Sequence, residues 1–518
     1  MSHDSAAWEP RSDTRPKTRG LSHSILGGLF WTLVGTGGQA VLRLLVLVIL
    51  ARLLTPADFG VVSAALVVVG FTTIFSQLGV GPAVVQRPDL EAVHLRAGFT
   101  LSLLFGSLTT VLICMLAPAT ASFFHIPELT PVVRVLSVVF LVSGTSVVAE
   151  SLMQRDMQFR RLAVINLVAF GAGYGAVGVG LALMGWGVWA LVGAQLAQTV
   201  LKTGISLIVR PHQMRLSLQR RASGDLMYFG GGFTVARIGN YLASQLDNLV
   251  VGRWLGAAAL GIYGRAYQLM AAPAMFLGEI LDRVLFPAMV TVQDQPERLG
   301  AAYRRSIALI ALLMLPVSVV LVILAPEVVR VLLGPGWTEV VAPFQIFAAG
   351  LLLRTSYKMS DSLVRATGAV YRRAWRQAIY AILVVAGAWI GRGWGVRGVA
   401  LGVLGAIAIN FLLMAHLSLS LADVTWKGIW AAHRHALTVA ALLGAETWLL
   451  ATLLRGVGLG PVPILLVTGI ACLGTAYLLL RYAPQQTLGV DGVWMLRTLS
   501  AYLPGKINLL NRLGLGIN

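Results

Sequence analysis

Apolar residues run along this chain in long blocks, and the polar breaks between them are short. A helix needs ~20 mostly apolar residues to cross a bilayer. The pattern predicts fourteen such spans, near 25–50, 59–85, 96–118, 130–153, 161–184, 187–209, 225–251, 259–290, 304–325, 341–364, 374–391, 397–421, 435–454 and 462–482. The connectors between the fifth and sixth and between the eleventh and twelfth are short and Gly-rich, which suits tight hairpins. The expected fold is an all-α polytopic membrane protein.

One bend is written twice. ARLLTPADFG at 51–60 and GRWLGAAALG at 252–261 align Arg52 with Arg253, Leu54 with Leu255, Ala57 with Ala258 and Gly60 with Gly261, an offset of 201. Val34 with Val235, Gly38 with Gly239 and Ala65 with Ala266 extend the match. Further on, Pro82-Ala83 meets Pro287-Ala288 at an offset of 205, about one helical turn longer. In each copy the stretch reads as an outer turn; in the first, Pro56 breaks the helix and Gly60 admits the next. The expected organisation is a tail at 1–20, an N-lobe of six spans at 21–222, a C-lobe of six at 223–422, two further spans at 423–483 and a tail at 484–518. Two like halves around a midplane cavity is the architecture of alternating-access transporters.

Composition agrees. Apolar residues make up 57% and charged residues 12%, against about 25% charged in soluble domains, and mean hydropathy is +0.79. The net charge of +19 would suggest nucleic acid in a soluble protein. Here it follows the positive-inside rule. With both ends cytoplasmic, inner segments hold 27 Lys and Arg and outer segments hold 7. Nucleic acid is therefore not expected as a partner. The polar start and long first apolar run predict an uncleaved first span. Cys114 and Cys472 lie far apart inside apolar runs, so neither disulfide nor metal is expected. The tail around Trp494 and Leu499 reads either as an interfacial helix or as disordered chain.

Six basic residues remain inside the spans: Arg43, Arg237, Arg265, Arg283, Arg354 and Lys358. A charge in the bilayer core costs ~2.5 kcal/mol or more, so it faces a cavity or a partner. Arg283 has Glu279 and Asp282 beside it and reads as a structural pair; Lys358 has Asp361 three residues on, on the same helix face. Arg43, Arg237, Arg265 and Arg354 have no carboxylate three or four residues away. Together these predict a cationic central cavity for an anionic substrate, lined by Arg43, Arg237, Arg265, Arg354 and Lys358, because an arginine fork pairs bidentately with phosphate oxygens. Glu150 and Asp247 are the buried acids that could pair with them, with Glu446 more peripheral.

GYGAVG at 173–178 fits a dinucleotide fingerprint in letters only. It lies within an apolar run, and Gly171 with Gly175 reads instead as a face for close helix packing. His433 and His435 have no further ligand nearby in sequence, and no catalytic set is visible.

The two hairpins, ARLLTPADFGVVSAALVVVGFTTIFSQLGVGPAVVQR and SQLDNLVVGRWLGAAALGIYGRAYQL, resemble bacterial polysaccharide flippases of the Wzx type, in the multidrug/oligosaccharidyl-lipid/polysaccharide exporter superfamily. The resemblance covers spans one to twelve and is strongest at these two segments. It implies a transporter, not an enzyme, of the bacterial inner membrane that moves undecaprenyl-diphosphate-linked oligosaccharide between leaflets for exopolysaccharide or lipopolysaccharide biosynthesis. It implies membrane lipid, a polymerase and a co-polymerase as partners and no cofactor. Glu150, Asp247 and Asp361 are candidates to couple a proton or sodium ion. The alternatives are a cation-coupled drug exporter or a lipid II flippase of the same superfamily, and, from another class, a membrane glycosyltransferase or ligase. Residues 22–57 hold no Asp or Glu, which argues against the drug exporter, and the absence of any large loop argues against the enzyme.

Overall fold

The structure, a computed structural model, describes residues 38–489 except 39, 78, 213, 484, 485 and 488. The N-terminal tail, the start of the first span and the stretch around Trp494 and Leu499 lie outside the described residues. For Arg237, Glu279, Asp282 and Arg283 only the helical backbone is described.

Among the described residues all regular structure is helical. α1 covers 40–53. It is followed by α2 (Pro56–Gln77), α3 (Val80–Gln86), α4 (Ala92–Phe124), α5 (Leu129–Arg155), α6 (Phe159–Phe170), α7 (Val179–Leu183) and α8 (Val188–Val209). After a coil come α9 (Arg220–Thr291), α10 (Pro296–Ile323), α11 (Ala325–Leu332), α12 (Val341–Ala349), α13 (Leu351–Ala366), α14 (Val370–Gly391), α15 (Gly395–Ala422), α16 (Trp426–Gly456) and α17 (Pro461–Tyr482). Nine of the described helical stretches, or ten if a pair bent by 43° at Gly350 is one, are long and apolar enough to cross a membrane. The protein is a multi-pass membrane protein. A helix suits a bilayer because it satisfies its own backbone polar groups.

Glycines set how closely the helices pack. A Cβ on Gly106 would stand 2.6 Å from the Phe140 carbonyl, and one on Gly144 would stand 2.7 Å from the Ser102 carbonyl. α4 and α5 therefore touch backbone to backbone in antiparallel register. Gly387 faces Gly402 and Gly391 faces Gly398 in the same way, so 370–422 folds back on itself at Arg392–Trp394. The GYGAVG region is a π-helical segment, Gly171–Gly178, between α6 and α7. A Cβ on Gly171 would stand 3.5 Å from the Leu42 side chain, one on Gly175 3.8 Å from Val46, and one on Gly173 2.6 Å from the Gln198 backbone. The glycines serve packing against α1 and α8.

The repeated bend is built by two chemistries at one register position. In the first copy Thr55 caps α2: its N–H and Oγ1–H donate to Asp58 Oδ2 at 2.9 and 2.7 Å, and the Asp58 N–H donates back to Thr55 Oγ1 at 3.3 Å. Pro56 then takes the first helical position, where its missing N–H costs nothing. The cap, more than Pro56, makes the break. In the second copy, 201 residues on, the bend is Gly256 at φ 85° and ψ −176°, a conformation only glycine adopts readily. The spans predicted at 225–251 and 259–290 are thus two arms of α9.

Gly60 serves a different purpose from the one expected. It lies against the carbonyl of Ala257, while Gly261 lies against the carbonyl of Pro56. These are the same contact exchanged at the offset of 201. The crossing of α2 with the second arm of α9 forms a seam between the first and second halves of the chain. Nearby, Trp337, 2% exposed, donates its indole N–H to the Ala51 carbonyl at 2.7 Å and sets its ring edge-on to Phe59. Arg52 Nη2 donates to the Val331 carbonyl at 2.7 Å, and Tyr241 donates to the Val67 carbonyl at 2.7 Å. The predicted span at 59–85 is interrupted: α2 stops at Gln77, Gly79 takes φ 67°, and α3 restarts the helix.

Candidate functional site

Four of the five predicted basic residues have described side chains, and these four divide between two places, on either side of the second arm of α9.

The first place is the seam. Arg265 lies on α9 one turn beyond Gly261, on the face turned to the first half. Its guanidinium sits over the Phe59 ring of α2, 4.4 Å from the centroid, and Nη1 donates to Gln268. Its Nε is buried and has no hydrogen-bond partner. Arg43 on α1 lies over the Phe170 ring at 5.6 Å. Phe170 stacks on Tyr174, with centroids 5.1 Å apart and planes 16° apart. Tyr174 lies in the electrostatic field of both Arg265 and Arg43, and its hydroxyl donates to Gln195 at 2.9 Å. The Phe170–Tyr174 stack thus carries Arg43 on one of its rings, while Arg265 rests on Phe59. Aromatic faces hold a guanidinium in place without neutralising it. Among the described residues neither arginine forms an ion pair with a carboxylate.

The second place is a cavity of about 190 Å³ inside the second half, bounded by α9, α13, α14 and α15. Arg354 and Lys358 enter from α13, and Asp247 and Tyr267 from α9. The Arg354 guanidinium lies over the Tyr267 ring at 4.9 Å and faces the hydroxyls of Tyr267 and Tyr380 and the Asp247 carboxylate. Asp247, 7% exposed, accepts from Tyr263 at 2.7 Å and from the Asn248 N–H at 2.9 Å. Lys358 rests on Gly278: a Cβ there would stand 2.8 Å from Nζ. Gln377 Nε2 and Asn410 Oδ1 line this cavity with no hydrogen-bond partner.

The other predicted residues stand elsewhere. Glu150 pairs with Lys202 at 2.8 Å, between α5 and α8. Asp361 pairs with Arg365 at 3.1 Å and with Arg373. Glu446 accepts from Thr475 at 2.9 Å. Arg237 is on the first arm of α9, its side chain outside the description. Among the described residues no three His, Cys, Asp or Glu side chains are grouped to hold a metal ion. His433 Nδ1 and His435 Nδ1 each meet a backbone carbonyl, of Ile429 and Gln486.

Sequence reasoning missed Tyr174, Tyr267, Tyr380 and Asn410, all uncharged. A search for buried polar tips on apolar helices would have found them, since each hydroxyl or amide there needs a partner.

A helical membrane protein of two halves meeting at a seam has a counterpart of the same fold among solved structures. It superposes on the lipid II flippase MurJ in an inward-closed conformation with a TM-score of 0.70 at 12% identity, over 88% of this chain and 99% of that one. The chain belongs to the polysaccharide biosynthesis protein family, whose model matches residues 49–342. It is 26% identical over 402 residues to the lipopolysaccharide biosynthesis protein WzxC of Escherichia coli K12, covering 76% of this chain and 80% of that protein. It is 28% identical over 311 residues to the succinoglycan biosynthesis transport protein ExoT of Rhizobium meliloti, covering 59% of this chain and 62% of that one.

Proposed function

We propose that this protein is a flippase that carries a polyprenyl-diphosphate-linked oligosaccharide across the bacterial cytoplasmic membrane for polysaccharide biosynthesis. The observation that carries this reading is that Arg43 and Arg265, from opposite halves, each lie over an aromatic face and, among the described residues, pair with no carboxylate. Two uncompensated guanidiniums select a group with two or more negative charges, and a diphosphate offers forked oxygens to both. The sugars follow the headgroup and the polyprenyl tail stays in lipid.

In this reading the chain crosses fourteen times, with both ends cytoplasmic. α9 supplies two crossings, and so does the α14–α15 hairpin. The two lobes rock about the crossing of Gly60 and Gly261. The exchanged glycine contact and the 27-to-7 division of basic residues support it. Of the three acids considered for ion coupling, Asp247 is the one that faces a cavity; Glu150 and Asp361 are held in ion pairs. Asp247 is therefore the residue whose protonation or cation binding drives the cycle. A polymerase and co-polymerase consume the product on the far side.

The test is transport by purified protein in liposomes, using a fluorescent short-chain polyprenyl diphosphate sugar and a membrane-impermeant quencher. Losing one charge-assisted contact costs about 1.5–3 kcal/mol. Arg43→Ala and Arg265→Ala should therefore each slow flipping by about 10- to 150-fold, and Arg265→Lys should recover part of the loss. Flipping at the parent rate in the double Ala variant would sink the proposal. Asp247→Asn should leave substrate binding intact and abolish the response to an imposed ion gradient; an unchanged response removes Asp247 from the coupling role.

A further inference from the structure

At the basic end of the first half, α6 and α8 part and leave a groove of about 400 Å³. Val164 and Val168 stand one turn apart on α6, and Ile205 and Val209 stand one turn apart on α8. They form two parallel aliphatic rails, roughly two helical turns or ~10 Å long. Val164 and Val168 are about half exposed, at 49% and 50%. The floor is closed by Ile165, which is 3% exposed. The half-exposed Val164 and Val168 leave the slot open along its side.

Charge sits at one end of the slot. Arg160 and Arg161, both exposed, occupy the first turn of α6, just where the apolar stretch begins. Arg161 Nη1 donates to Gln158 Oε1 at 2.9 Å, a neutral partner that leaves its charge uncompensated. Two more arginines flank the same helices in sequence, Arg155 at the end of α5 and Arg210 just after α8. Arg155 donates to the Val84 and Pro88 carbonyls, which are also neutral. Arg210 pairs with Asp156 at 2.8 Å. Arg161 thus brings an uncompensated positive charge to one end of a slot whose lining beyond Arg160 and Arg161 is apolar.

We infer that this groove is a binding site for an anionic glycerophospholipid, with its phosphate on Arg160 and Arg161 and one acyl chain between the α6 and α8 rails. Charge complementarity chooses an anionic headgroup over a zwitterionic one. Position chooses a resident lipid over the transported one. Both walls belong to the first half, and a molecule bound for Arg43 and Arg265 at the seam gains nothing by seating here. The site is thus independent of the proposed transport reading and can hold or fail without it.

The experiment is native mass spectrometry of the full chain titrated with phosphatidylglycerol or phosphatidylcholine of matched chains. The parent should retain one phosphatidylglycerol in preference to phosphatidylcholine. Each arginine near a lipid surface contributes a factor of about five, so Arg160→Ala/Arg161→Ala should weaken phosphatidylglycerol binding roughly 30-fold, which converts to about 2 kcal/mol. Val168→Trp fills the slot, keeps both charges, and should weaken binding as much. Arg160→Lys/Arg161→Lys should retain it. Each variant sits on an exposed face, and an unchanged thermal midpoint verifies its fold. Equal binding of the two lipids by the parent, or parent-strength binding by the Ala or Trp variants, overturns the site. Displacement of phosphatidylglycerol by equimolar undecaprenyl diphosphate reassigns the groove to the substrate and overturns the occupant named here.

Discussion

Replacing Trp337 by Phe tests how much one buried hydrogen bond contributes to holding the seam shut. The Ala51 carbonyl belongs to the last turn of α1, where carbonyls lack a partner four residues on. The Thr55 N–H that would have served it is committed to Asp58 at 2.9 Å. The Trp337 indole N–H, at 2.7 Å, takes its place. Phe keeps a ring against Phe59, which lies 5.4 Å from Trp337 edge-on, and removes only the donor. A buried carbonyl left without a donor costs about 1–3 kcal/mol. The open population of the seam should therefore rise by about 5- to 150-fold. The reporter is Ala64→Cys, a fully buried position one turn along α2 from Gly60 and on the same face, with Cys114 and Cys472 replaced by Ser. Its reaction with a membrane-impermeant thiosulfonate should accelerate by that factor when Trp337→Phe is added. A rate within twofold of the parent, in protein with an unchanged thermal midpoint, refutes the latch.

Gly60→Ala and Gly261→Ala should each drive a methyl into a backbone carbonyl across the seam. The cost is about 1–3 kcal/mol of overpacking or more, seen as a lowered melting temperature by intrinsic fluorescence. Gly264→Ala, where nothing lies within 4 Å, should be neutral or slightly stabilising and is the matched control. In the coil between α8 and α9, burial lowers the pKa of His212 from its ordinary 6.5, with the Arg210 backbone partly opposing. Its folded form binds fewer protons than its unfolded form, so its contribution to stability is present above pH 6.5 and is lost as pH falls through the folded value. Hydrogen exchange of 211–219 should accelerate at pH 5 relative to pH 7 after correction for intrinsic rates, and His212→Phe should remove the difference.

Periodicity carried the all-helical, multi-pass character, because bilayer thickness acts on every span alike. The 201-residue offset located the bend in both copies. It could not tell that Thr55 and Gly256 do one job by different means, since the first is a side-chain cap and the second a backbone torsion. It read Gly60 as a turn residue, because a glycine beside a turn and a glycine at a helix crossing look the same in one dimension. The cationic residues were found by counting carboxylates along each helix. That count cannot tell which way a helix faces. Arg265 and Tyr267, two residues apart, therefore point to different sides of α9, the first to Phe59 and the second to the cavity lined by Asp247 and Arg354. The aromatic faces that cradle the arginines left no mark in any charge tally.

The second arm of α9 is a party wall. Arg265 on one side meets Phe59 and the field of Tyr174, while Tyr263 and Tyr267 on the other meet Asp247, Phe347 and Arg354. A close-packed helix turns as one piece, so if the seam holds an anion as proposed, a roll that tightens on it also resets the distances around Asp247. Thermodynamic reciprocity then works in both directions. Whatever factor a bound anion imposes on the chemistry of the inner chamber, that chamber imposes on the anion. The two rooms can be named separately but their occupants cannot be measured independently.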